Sequence, residues 1–111
     1  MVFSLYDLSI LPIDFRYPKQ IIDLSQSLKK AELGDWYFIE SNSEAGKLAY
    51  ELRHVNGMNL IPFARLLDWA AFFDGNDKTG NPKVYVFDLS DKANYIEFVD
   101  FENWLKDVDK F

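Results

Sequence analysis

Leu60-Ile61-Pro62-Phe63-Ala64, Asp68-Trp69-Ala70-Ala71-Phe72-Phe73, Lys83-Val84-Tyr85-Val86-Phe87-Asp88-Leu89 and Tyr95-Ile96-Glu97-Phe98-Val99 are four short apolar runs separated by polar breaks. They are rich in aromatic and β-branched side chains, which pack well on a pleated surface, so they predict strands. Their close succession predicts an antiparallel meander, the topology that short connections allow. The longest break, from Asp74 through Gly75, Asn76 and Gly80 to Pro82, has the composition of a long hairpin loop.

On the C-terminal side, Phe101, Trp104, Leu105 and Val108 recur at helical spacing behind Asp100, a capping residue type. Glu102 near the start and Lys106 and Lys110 near the end suit the helix dipole. Packing of this helix on the sheet would place Trp104 opposite Trp69. On the N-terminal side, Ala45, Leu48, Ala49, Leu52 and Val55 predict an amphipathic helix. Ser41 and Glu44 are its capping box, and Asn56-Gly57 supplies the left-handed residues that end it. Trp36 to Glu40 reads as a short strand. Pro18 suits the first turn of an earlier helix carrying Ile21, Leu24, Leu28 and Ala31, which stops at Gly34. Val2 to Phe15, broken by Pro12, predicts a short strand or helical turn leading into an extended corner.

The expected fold is therefore α+β: a predominantly antiparallel sheet of about five strands, flanked by two N-terminal helices and one C-terminal helix. Residues 1–111 suffice for one domain. With 49% apolar and 17% aromatic residues, the chain has the composition of a packed protein and not of a disordered one. No apolar run reaches the roughly 20 residues of a membrane-spanning helix, and Met1 to Leu11 lacks the basic start of a signal peptide. Cysteine is absent, which removes thiolate ligands, thiol nucleophiles and disulfides and fits a reducing compartment. A cytoplasmic location is expected.

Eighteen acidic against 12 basic side chains give a net charge of −6. That balance disfavours nucleic-acid backbones and anionic membranes and favours a basic protein partner. Residues 66–111 hold 10 acidic and 5 basic groups, whereas residues 1–65 hold 8 and 7, so any electrostatic footprint belongs to the second half.

Catalytic chemistry finds little to work with. His54 is the only histidine, and Glu51-Leu52-Arg53-His54 is at most half of a carboxylate–imidazole helix motif, with no second copy. The Asp74, Asn76, Lys78 spacing imitates a calcium loop. It fails at Lys78, at Thr79 where glycine is needed, and at Tyr85 where a bidentate glutamate is needed. No Gly-x-Ser-x-Gly elbow or phosphate-cradling glycine loop occurs. The carboxylate pairs Asp74 with Asp77 and Asp88 with Asp91 flank turns, where Asp usually bonds its own backbone. No catalytic residue, metal site or cofactor is expected.

The runs Asn59-Leu60-Ile61-Pro62-Phe63-Ala64 and Asp68-Trp69-Ala70-Ala71-Phe72-Phe73-Asp74 resemble the strand pair of the SUKH superfamily, an (I/L)PF(A/G) strand followed by a polar-to-aromatic strand ending in Asp. Pro82 to Asp88 resembles the next strand, and Tyr95 to Leu105 the closing strand and its aromatic helix. Leu11-Pro12 with Phe15 is similar to the N-terminal entry. The chain departs from the pattern in lacking an Asn-Gly-Gly turn after that entry and in carrying Asp100 where the family has Ser. The resemblance covers residues 59–108. It implies a mixed sheet flanked by helices and a non-enzymatic role, either as a bacterial immunity protein that occludes a toxin domain or as a regulatory or scaffolding module. An acidic second half would suit a basic toxin such as a nuclease domain. Asp74, Asp77, Asp88 and Asp91 are expected to steer the partner, and Tyr85 to anchor it.

Overall fold

The computed structural model describes residues 2–28 and 33–108. A 3-10 turn at Leu8–Ile10 precedes α1 (Lys19–Gln26), β1 (Tyr37–Phe38), α2 (Glu44–Glu51), β2 (His54–Val55), β3 (Met58–Leu66), β4 (Trp69–Asp74), β5 (Val84–Asp88), β6 (Asp91–Phe98) and α3 (Phe101–Asp107). The strands are antiparallel in the order β1-β3-β4-β5-β6, with β2 folded back on β3 as a hairpin. The protein is α+β, with the meander at its centre.

The alternation along each strand sends residues to two different layers. Ile61, Phe73, Val84 and Val86 face the larger layer, built from α1, α3 and the N-terminal segment, where Ile21, Phe101 and Trp104 are fully buried. Trp104 packs edge-on against Phe63 at 4.9 Å and Trp36 at 5.6 Å, while Trp69 is partly buried at the rim of the same layer. Leu60, Ala70, Phe72 and Phe87 face the opposite way and meet Val55 of β2.

One irregularity changes the phase of β3. Pro62 pairs with Phe72 but Ala64 pairs with Ala71, so Phe63 is an extra residue, and Phe63 and Ala64 both belong to the larger layer. A bulge tolerates the neighbouring proline, whose missing N–H would otherwise break the ladder. Past the bulge, Arg65 pairs with Ala70 and so projects into the smaller layer.

Several local expectations need correction. α1 ends at Gln26 and leaves Leu28 exposed. Ser25 is a poor helix former whose hydroxyl donates back to the Ile22 carbonyl, and its own carbonyl accepts the Phe3 N–H, so the chain is diverted. The cap of α2 is Ser43, whose hydroxyl oxygen accepts the Gly46 N–H at 2.9 Å; Ser41 is buried, with its N–H bonded to the Ser4 carbonyl. Leu48 and Leu52, expected to face the core, are exposed, and the inward side of α2 is Gly46 with half-buried Ala49 and Tyr50. Asn56-Gly57 does not terminate a helix. With φ of 52° and 78° it forms the two-residue turn of the β2–β3 hairpin, the primed geometry that matches strand twist. Ala31 and Lys110, expected on the first and last helices, lie outside the described residues.

Candidate protein-binding face

β6 is the long free edge of the sheet, and seven of its eight residues are exposed. Its cross-strand neighbours on β5 set what it presents. Tyr95 lies opposite Phe87 and Glu97 opposite Tyr85. Because i and i+2 share a face, these four side chains form a ladder on the smaller-layer side. Tyr95 stacks on Phe87 at 4.9 Å, Tyr85 meets Tyr95 edge-on at 6.1 Å, and Phe87 continues to Phe72 at 5.9 Å. The inner rungs are closed and the outer rung, Tyr95, is 46% exposed. An aromatic held rigidly by its neighbours and still open to solvent loses little side-chain freedom on binding.

The five residues singled out in the sequence do not form one patch. Asp74 ends β4 beside the start of β5, whereas Asp88 and Asp91 lie at the far end of β5, paired across the β5–β6 turn. At about 3.3 Å per residue the two ends are roughly 15 Å apart. Tyr85 sits between them, half-buried, nearer the Asp74 end. Burial, followed by the charges of Glu97 and Asp74, holds its hydroxyl above the ordinary tyrosine range.

Each aspartate also shapes its own turn. Asp74 accepts from the Asn76 N–H at 2.9 Å, and Asp88 from the Ser90 N–H at 3.0 Å and hydroxyl at 2.6 Å. Those Ser90 bonds, the hydroxyl first, hold the Asp88 carboxyl below its ordinary value. Asp77 accepts from the Thr79 hydroxyl and N–H and from the Lys83 N–H. Burial pushes its carboxyl up, but the hydrogen bonds outweigh burial and hold it low. Asp91 is the weakest tie, accepting from Ala93 N–H at 3.3 Å. Asp77 and Asp88 therefore remain charged at neutral pH, and all four aspartates brace the loops that carry them.

Tyr95 and Glu97 are the members of this face that residue-by-residue reading missed. Their signal was present: Asp91-Lys92-Ala93-Asn94 is polar on both faces, the composition of an edge strand, which would have made the following tyrosine a solvent-facing one. Lys83 bridges Glu97 at 3.0 Å, fixing the ladder's open end.

Among the described residues no group of three or more His, Cys, Asp or Glu comes together to hold a metal ion, and no helix is long and apolar enough to cross a membrane. His54 is exposed on β2, paired with Asn59. Comparison with known proteins finds no matching family model, curated protein or solved structure.

Proposed function

We propose that this chain is a non-enzymatic protein-binding module, an immunity-type protein that neutralises a basic toxin domain by docking it across the β5–β6 ladder. The carrying observation is Tyr95, rigidly stacked yet open, on a free edge strand bracketed by carboxylates at both ends. An aromatic centre supplies affinity, and charge at the rim supplies approach speed and orientation. The resemblance of residues 59–108 to the SUKH superfamily supports the same reading, as does the net charge of −6. In this reading Asp74, Asp77, Asp88 and Asp91 act as two separate rims, and Tyr85 buttresses the exposed anchor.

Co-expression with the protein encoded immediately upstream is the test of class: rescue from growth arrest together with co-purification is expected. Tyr95→Ala should then weaken the complex by about 2 kcal/mol, roughly thirtyfold. Tyr37→Ala, an exposed tyrosine on the opposite edge strand β1, should leave affinity unchanged. Failure of both rescue and co-purification would remove the immunity reading. Equal effects of the two tyrosine substitutions would remove the ladder as the docking face.

A further inference from the structure

Beside the ladder, between α2 and the smaller layer of the sheet, lies a cleft of about 220 Å³. Its walls are apolar: Ala49 from α2 and Leu52 at its C-cap, Val55 from the hairpin, Ala70 and Phe72 from β4. Two side chains break that character, Arg65 and Lys92, both cationic, and no carboxylate lines the space. Arg65 arrives there because of the bulge at Phe63. Its Nη2 donates to the Leu67 carbonyl at 2.8 Å, but its Nε is buried and has no hydrogen-bond partner among the described residues. Among the described residues no ion pair satisfies the guanidinium either. Arg65 and Lys92 therefore place positive charge on an otherwise apolar lining with no carboxylate among its residues to balance it.

We propose that this cleft binds a small monoanionic amphiphile, a carboxylate on an apolar body of roughly eight carbons. A dry cavity of about 150 Å³ accommodates benzene, so this somewhat larger space suits a short alkyl or aryl acid and not a drug-sized molecule. The apolar body fills the space between Leu52, Val55 and Phe72. The carboxylate pairs with the positive charge of the Arg65 guanidinium, with Lys92 adding a second cation to the lining. The site is independent of the protein-docking face: it needs Arg65 and the α2 wall, and not Tyr95.

The experiment is a titration of the full chain, followed through its amide resonances, with octanoate, octan-1-ol and octylamine. Octanoate is expected to shift Leu52, Val55, Ala70 and Phe72 saturably, with octan-1-ol weaker by roughly tenfold or more and octylamine weaker still. Arg65→Met should abolish the preference for acid over alcohol while retaining the alcohol's weak binding. Ala49→Phe, which fills the cleft from the helix side, should abolish both. Absence of saturable shifts at the cleft, equal binding of acid and alcohol, or a preference that survives Arg65→Met would each overturn the proposal. If Arg65→Met does not fold, the ranking of the three probes on the unaltered chain decides the matter alone.

Discussion

The side-chain amide of Asn56 donates to the backbone carbonyl of Lys92 at 2.8 Å, joining the β2–β3 turn to the start of β6 across 36 positions of sequence. The hairpin is thereby drawn over the smaller layer and helps to wall the cleft. Asn56 also holds a φ of 52°, which costs most side chains about 1 kcal/mol. Asn56→Gly should lose only the exposed hydrogen bond, on the order of 0.5 kcal/mol, and Asn56→Ala should lose roughly 1 kcal/mol more. Urea denaturation of the two variants separates the contributions, and equal losses would refute the backbone component.

Gly46 reverses a familiar rule. Replacing a helical glycine with alanine ordinarily stabilises by up to about 1 kcal/mol. Here a Cβ would fall against the Glu40 carbonyl oxygen and within 2.9 Å of Ser41 Cα, both backbone atoms that have no rotamer to change. The Tyr6 hydroxyl, which donates to the Gly46 carbonyl, fixes the same approach from the other side. Gly46→Ala should destabilise by roughly 1–3 kcal/mol, and a raised melting temperature would contradict the close contact.

Asp100 caps α3, accepting from the Asn103 N–H at 2.9 Å, and reaches Asn81 across the long loop at 3.2 Å. The Asn103 backbone bond, above all, holds its carboxyl below the ordinary value of 3.8. A depressed folded value means that the stabilisation is complete above that ordinary value and is lost as pH falls through the folded one. Asp100→Ala should therefore cost about 1 kcal/mol at neutral pH, and the gap from the unaltered protein should narrow in acid. Asp100→Asn, which can still cap, should lose much less. Denaturation series at neutral and acidic pH check both statements.

The two acidic rims should act separately. Asp74→Asn and Asp88→Asn each remove a charge while keeping an oxygen to brace the turn. The ends are farther apart than the roughly 10 Å screening length in 0.1 M salt. Each substitution should slow association with a basic partner on the order of twofold, multiplicatively in the double variant, and high salt should erase both effects. Association rates unchanged at low salt would leave the rims with only their local bracing role.

Much of the sheet was legible because its signal is local. The aromatic runs of β3, β4 and β5 are bounded by polar breaks, and Asp100 is an N-cap followed by a clear stripe, so strands and closing helix fall where composition places them. α2 was legible as a helix but not in its rotation. Apolar spacing pointed to Leu48 and Leu52, whereas the inward face is decided by the backbone approach at Gly46, a tertiary contact that no periodicity encodes. Asn56-Gly57 carried two meanings, helix stop and hairpin turn, and the two residues of β2 ahead of it were too few to choose between them. The docking face needed three-dimensional neighbours: Tyr85 and Tyr95 are ten positions apart in the chain yet share an edge contact. Arg65 was invisible as a cleft residue because its direction depends on one unpaired residue upstream.

That half-period slip at Phe63 sets the polarity of everything beyond it. Were β3 to run through Phe63 in strict alternation, without the bulge, Arg65 would follow Ile61 and Phe63 toward Trp104 and the helices, exchanging a cation for Ala64 in the most crowded part of the molecule. The chain tolerates a guanidinium in its central strand only because a single inserted position turns it away.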